Sequence, residues 1–232
     1  YADLDALPDE VLVGFQTSKS SWHARRARVV LQKRAHKSEL SQETHKQLWE
    51  LFNQSDNGDH KLRALWSLHV TEGLDEPQLL PMLKHQDPYV RAWAIQLLTE
   101  DLSPSMNAIV AFTRMAASDS SPVVRLYLAA ALQRVPEDSR WALIQALVQH
   151  SDDNDDHNIP KMIWFATEPL VAKDPERALT LATESQLELI VQYIARRVAD
   201  AENYDSLIKG IASVKAPAIQ VGLLQGFLHG LE

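Results

Sequence analysis

A chain of 232 residues with 45% hydrophobic content can build an extensive core, which excludes a disordered chain. A net charge of −8 speaks against a nucleic-acid binder, since phosphates are held by clustered Lys and Arg. The lack of cysteine removes disulfides, thiolate metal sites and thiol nucleophiles.

Only 7 Gly and 11 Pro interrupt a chain rich in Ala, Leu, Gln, Glu, Lys and Arg, so composition favours helix. The acids are unevenly spread. Residues 137–176 hold nine acids against three bases and residues 1–50 hold seven against eight, so a cationic partner would prefer the later half. No apolar run approaches the ~20 residues of a membrane span. The chain opens on Tyr1-Ala2-Asp3 without a basic and then apolar stretch, and closes on a helical segment at Leu231-Glu232. We expect a segment of something longer.

In chain order, the spacing of apolar residues predicts helices over 9–17, 41–54, 76–84 and 104–117. Each is followed by a second helix that opens with the same signal, a capping residue four positions before an Arg. The four copies are Ser21/Arg25, Asp59/Arg63, Asp87/Arg91 and Ser121/Arg125. A Ser or Asp oxygen at a helix start accepts from the exposed N–H groups of the first turn. From there Val90, Trp93, Ala94, Leu97 and Leu98 make one apolar stripe, and Val124, Tyr127, Leu128, Ala131 and Leu132 another. The first two copies are less pure, with Arg28 and His69 on the stripe. Three further pairs follow: 138–150 with 158–171, 175–183 with 186–200, and 204–213 with 217–230. A helical hairpin cannot bury its apolar face alone, so the pairs must stack. The expectation is an all-α fold, a HEAT-like α-solenoid (αα-superhelix) of about seven helix pairs, with residues 1–232 forming one repeat domain.

The run Asp87-Pro-Tyr-Val-Arg91 between two helices resembles HEAT repeats in general. A narrower resemblance rests on Trp22-His-Ala-Arg-Arg-Ala-Arg28, on residues 87–100, on Trp164-Phe-Ala-Thr-Glu-Pro-Leu170 and on Tyr193-Ile-Ala-Arg-Arg197. Together they resemble the HEAT-repeat segment of planctomycete-type haem-binding dehydrogenases. That resemblance implies an exported protein, with a propeller-like domain before the segment and a cytochrome c-like domain after it. The family's haem sits on C-x-x-C-H. With no Cys in the chain, no cofactor role transfers to any residue.

Several clusters suggest chemistry, and each has a structural reading beside it. The ladder Arg25, Arg63, Arg91 and Arg125, with Asp59 and Asp87, suits acidic partners but reads better as glue between repeats. Asp152, Asn154 and Asp156 match the first ligand positions of a calcium loop. His157 then stands where the glycine belongs and Ile163 where the closing Glu belongs, so a solvated loop is the better reading. His150 and His157 flank this loop without zinc-ligand spacing. Trp164 and Glu168, with Arg196 and Arg197, are candidates for partner contact; Glu168 bound by one of these arginines is the structural alternative. Trp66 and Trp93 read as core. No Ser-His-Asp arrangement, P-loop or dinucleotide fingerprint supports catalysis.

The resulting expectation is a non-catalytic scaffold that joins or orients domains of a larger exported redox protein. An independent protein-interaction module is the alternative, and a HEAT-like lyase or glycosylase comes third. The expected partner is protein, either neighbouring domains or a separate chain, with no nucleic acid and no membrane span.

Overall fold

Short polar side chains set where the helices begin. Ser20 accepts from the His23 amide, Asn57 from those of Asp59 and His60, Ser105 from Ala108 and Asp174 from Arg177. Asp75 and Gln78 exchange side-chain and backbone bonds in a capping box. Ser21 and Asp59, expected to be caps, therefore lie one and two residues inside the caps that form. Asp87 does act at its helix start, accepting from the Tyr89 amide at 2.8 Å. Ser121 stands at a cap position without a side-chain bond, and Asp119 accepts from the Ser121 amide instead.

A computed structural model describes residues 3–231, which contain fourteen α-helices and no strand. They form seven successive pairs: α1 (Asp9–Gly14) with α2 (Ser21–His36), α3 (Gln42–Gln54) with α4 (Gly58–Val70), α5 (Glu76–Met82) with α6 (Pro88–Leu98), α7 (Met106–Ser118) with α8 (Pro122–Ala131), α9 (Glu137–Leu147) with α10 (Ile159–Lys173), α11 (Pro175–Glu184) with α12 (Glu188–Asp200), and α13 (Tyr204–Ser213) with α14 (Pro217–His229). The all-α, HEAT-like succession of seven pairs is thus the fold. No helix is long and apolar enough to cross a membrane among the described residues.

The chain divides into two compact units, residues 1–94 and 95–232, and the division falls within α6. In the first unit α1 packs on α3 and α2 on α4, burying Leu12, Leu31, Leu48 and Leu68 in one core cluster. In the second, first helices pack on first helices (α7 on α9, α11 on α13). Second helices do likewise, with α8 on α10, α10 on α12 and α12 on α14. This stacking hides the stripe of α8, where Val124 and Leu128 are fully buried, with Leu132 just after it; Val90 and Ala94 of α6 are fully buried too.

In the last stacking α14 turns a row of glycines to α12, so the two backbones come close. A Cβ on Gly226 would stand 2.1 Å from the Gln192 carbonyl oxygen, and one on Gly230 would stand 2.6 Å from the Ala199 Cβ. Gly222, Gly226 and Gly230 recur every four residues and meet Val191, Ala195 and Ala199, which recur at the same interval on α12. Four of the second helices end through a non-glycine residue of positive φ: Ser38 after α2, Glu72 after α4, Leu102 after α6 and Glu202 after α12. After three of them the next amide reaches back to close the helix, as Gly73 does to the Leu68 carbonyl at 2.8 Å.

Candidate functional site

The repeated arginines serve different ends. Arg91 donates to the carbonyls of His85 and Gln86 at 2.8 and 3.0 Å, tying down the turn between α5 and α6. Arg125 donates to the Asp119 carbonyl in the matching turn between α7 and α8. It also forms a two-pronged ion pair with Asp153, Nε to Oδ2 at 2.5 Å and Nη2 to Oδ1 at 2.6 Å, both side chains being buried. That pairing, with Asp119 and Asp152 adding negative field, raises the Arg125 pKa further. Arg63 donates to the carbonyls of Gln16 and Ser18 at 3.2 and 2.7 Å, and Arg25 only to Ser21 on its own helix.

Arg25 and Arg63 also line a cavity of about 300 Å³ in the first unit, together with Ser21, Ala24, Arg28, Asp59 and Trp66. Arg28, noted in the sequence only as an impurity of the stripe, supplies its unusual feature. Its guanidinium lies 5.0 Å from the Trp66 ring centre, and Trp66 in turn meets Trp93 edge-on at 4.9 Å. Among the described residues Arg28 makes no ion pair, and its Nε is buried without a hydrogen-bond partner, as is the Trp66 Nε1. Burial first, then repulsion from Arg63 and Arg25, pushes the Arg28 pKa down to about 10. Asp59 lines the same cavity without reaching ion-pair distance of any arginine.

The acidic loop of the second unit is spent on internal structure. Asp153, not one of the residues singled out as ligands, takes Arg125. Asp156 accepts from the amides of Asn158 and Ile159, both at 2.8 Å, at the start of α10. The Asn154 side-chain oxygen Oδ1 accepts from the Glu188 amide at 2.9 Å, and Asp152 is exposed. The His150 ring is hydrogen-bonded to the Ala116 carbonyl at 2.6 Å, while His157 is exposed. No group of three or more His, Asp or Glu side chains is placed to hold a metal ion among the described residues.

Trp164, Glu168 and Arg197 are brought together where α10 crosses α12. Arg197 Nε donates to Glu168 Oε1 at 2.7 Å, and Trp164 meets Tyr193 edge-on at 5.3 Å. Arg196 is exposed and does not join them. A second surface was not anticipated. On α13 and α14 Ile208, Val221, Leu224 and Leu228 are 54%, 51%, 44% and 61% exposed, and Leu231, just past the end of α14, is 56% exposed. Val221, Leu224 and Leu228 follow one another at intervals of 3 and 4, one face of a helix. The sequence carries that spacing, as it carries the four-residue interval of the glycines on the opposite contact.

Residues 76–159 match the family model for HEAT repeats. The chain therefore contains a HEAT-repeat segment. No curated protein gives a significant match. Two engineered proteins with crystal structures from the Northeast Structural Genomics Consortium are similar at low identity. One is 17% identical over 96% of this chain and 96% of its own, with a TM-score of 0.39. The other is 16% identical over 99% and 98%, with the same TM-score.

Proposed function

We propose that the chain is a non-catalytic HEAT-repeat scaffold that joins or orients the domains of a larger exported redox protein, with residues 1–232 acting as one repeat domain. The observation that supports this reading is the apolar stripe Val221, Leu224 and Leu228 on α14, with Leu231 just past its end. Val221, Leu224 and Leu228 make one exposed face of α14 apolar over about two turns, the mark of a protein-contact surface. The polar residues that resemble the dehydrogenase-associated segment support it too. Glu168 with Arg197 and Trp164 with Tyr193 hold α10 against α12, the helix on which α14 stacks.

Cross-linking of the whole gene product tests the reading. Lys209 on α13 and Lys215 between α13 and α14 are exposed, and we expect links from them to a neighbouring domain. Leu224→Glu with Leu228→Glu should abolish those links while leaving the helical signal unchanged. Links only to a separate chain would favour the independent interaction module, and a gene product without a C-x-x-C-H segment would sink the redox role.

A further inference from the structure

We propose that the cavity between α2 and α4 is a binding site for a carboxylate group, which Arg28 holds with Arg25 and Arg63. The argument begins with an imbalance. Three guanidinium groups and one carboxylate, that of Asp59, line a space of about 300 Å³, and no ion pair forms among them. The carbonyls that Arg63 and Arg25 engage satisfy hydrogen-bond geometry but leave the positive charge in place. Arg28 has not even those. Taking a guanidinium out of water without a counterion is costly, and the face of Trp66 offsets only part of that cost. The depressed pKa of Arg28 reports the same strain on its charged form.

Elsewhere the chain closes such sites itself: Arg125 has Asp153, and Arg34 has Asp9. At Arg28 the counterion position is an open cavity. The chemistry favours a single negative charge. A planar carboxylate fits the guanidinium fork, whereas Asp59 in the same wall would repel the second charge of a phosphate. The carboxylate arrives either on a free small acid or on an acidic side chain of a protein segment.

The test uses calorimetry and thermal melts of the 232-residue chain at fixed ionic strength, with three probes: acetate, a blocked hexapeptide of glutamates, and inorganic phosphate. Acetate, the peptide or both should bind and raise the melting temperature above a chloride control. Peptide binding without acetate binding identifies a protein segment as the source, and equally tight acetate binding identifies a free acid. Arg28→Met should weaken binding roughly thirtyfold or more, while the ligand-free variant melts at or above the parent temperature because a half-buried charge without a counterion is gone. Arg25→Gln, at the exposed rim, should weaken binding less and leave the fold alone. The proposal is overturned if neither carboxylate binds, if phosphate binds more tightly than both, or if Arg28→Met binds like the parent. It also falls if Arg28→Met melts well below the parent or fails to fold, since Arg28 would then be structural.

Discussion

Arg125 in the second unit and Arg28 in the first are the same residue in the same kind of place, a second helix packed against its neighbours, yet they are settled in opposite ways. Arg125 is enclosed by a two-pronged carboxylate and a turn carbonyl, so its charge is answered within the fold. Arg28 is answered by an aromatic face alone and looks onto a cavity. The second unit is also closed sterically at α12 and α14, where backbone meets backbone through glycine. An arginine on a second helix is therefore not one device. Arg125 is glue because a carboxylate from a neighbouring loop meets it, and Arg28 is an open charge because none does.

The largest expected effect comes from opening the closed site. Asp153→Ala leaves the Arg125 guanidinium buried and unpaired, and should cost about 3–5 kcal/mol in denaturant unfolding. A loss below about 1 kcal/mol would show that Arg125, too, tolerates an unanswered charge, and the contrast with Arg28 would vanish.

The first unit contains a closed site of its own, which makes the imbalance at Arg28 local. Asp9 is paired with Arg34 and accepts from the Ser41 amide at 3.2 Å and the Thr44 hydroxyl at 3.0 Å. Burial alone would raise its pKa, but these donors outweigh burial and hold it below its ordinary value of 3.8. A depressed folded-state pKa adds stability that is fully present above the unfolded-state value and is lost as pH falls through the folded-state value. Asp9→Asn should thus cost about 1.5–3 kcal/mol at neutral pH and flatten the loss of stability on acidification below about pH 5. An unchanged acid limb would remove Asp9 from the account.

Much of this fold is legible in the sequence, and the exceptions have physical causes. The seven pairs emerge because caps and apolar spacing are local: helix 104–117 was expected and α7 runs Met106–Ser118. The misplaced caps fall where several capping residues adjoin, Ser20-Ser21 and Asn57-Gly58-Asp59, and sequence alone cannot choose among them. Asp153 escaped notice because its partner lies 28 residues away, and a loop of similar acids conceals which one turns inward. Arg28 is visible in the sequence only as a charge on an apolar stripe. Its meaning depends on Trp66 and Arg63, which only the packing of α2 on α4 brings alongside.

The steric closure of the second unit can be tested next. Gly226→Ala sets a methyl against the Gln192 carbonyl and should cost about 1–3 kcal/mol through displacement of α14 from α12. Gly14, whose added Cβ would meet nothing within 4 Å, is the control at which alanine should cause no such clash.

The smallest effect sharpens the comparison most directly, because it gives Arg28's cavity the carboxylate that Arg125 already has. Ser21 lines that cavity, is exposed, and is the first residue of α2. A glutamate there meets the positive end of the helix dipole and stands four residues before Arg25, each contact contributing some tenths of a kcal/mol. Ser21→Glu should therefore stabilise the chain by up to about 1 kcal/mol and weaken capture of the glutamate peptide, since a tethered carboxylate competes for the same cations. If Ser21→Glu leaves the melting temperature unchanged and the peptide still binds as to the parent, the first unit has no unanswered charge within reach of α2's first turn. The difference between Arg28 and Arg125 would then lie in solvent access rather than in pairing.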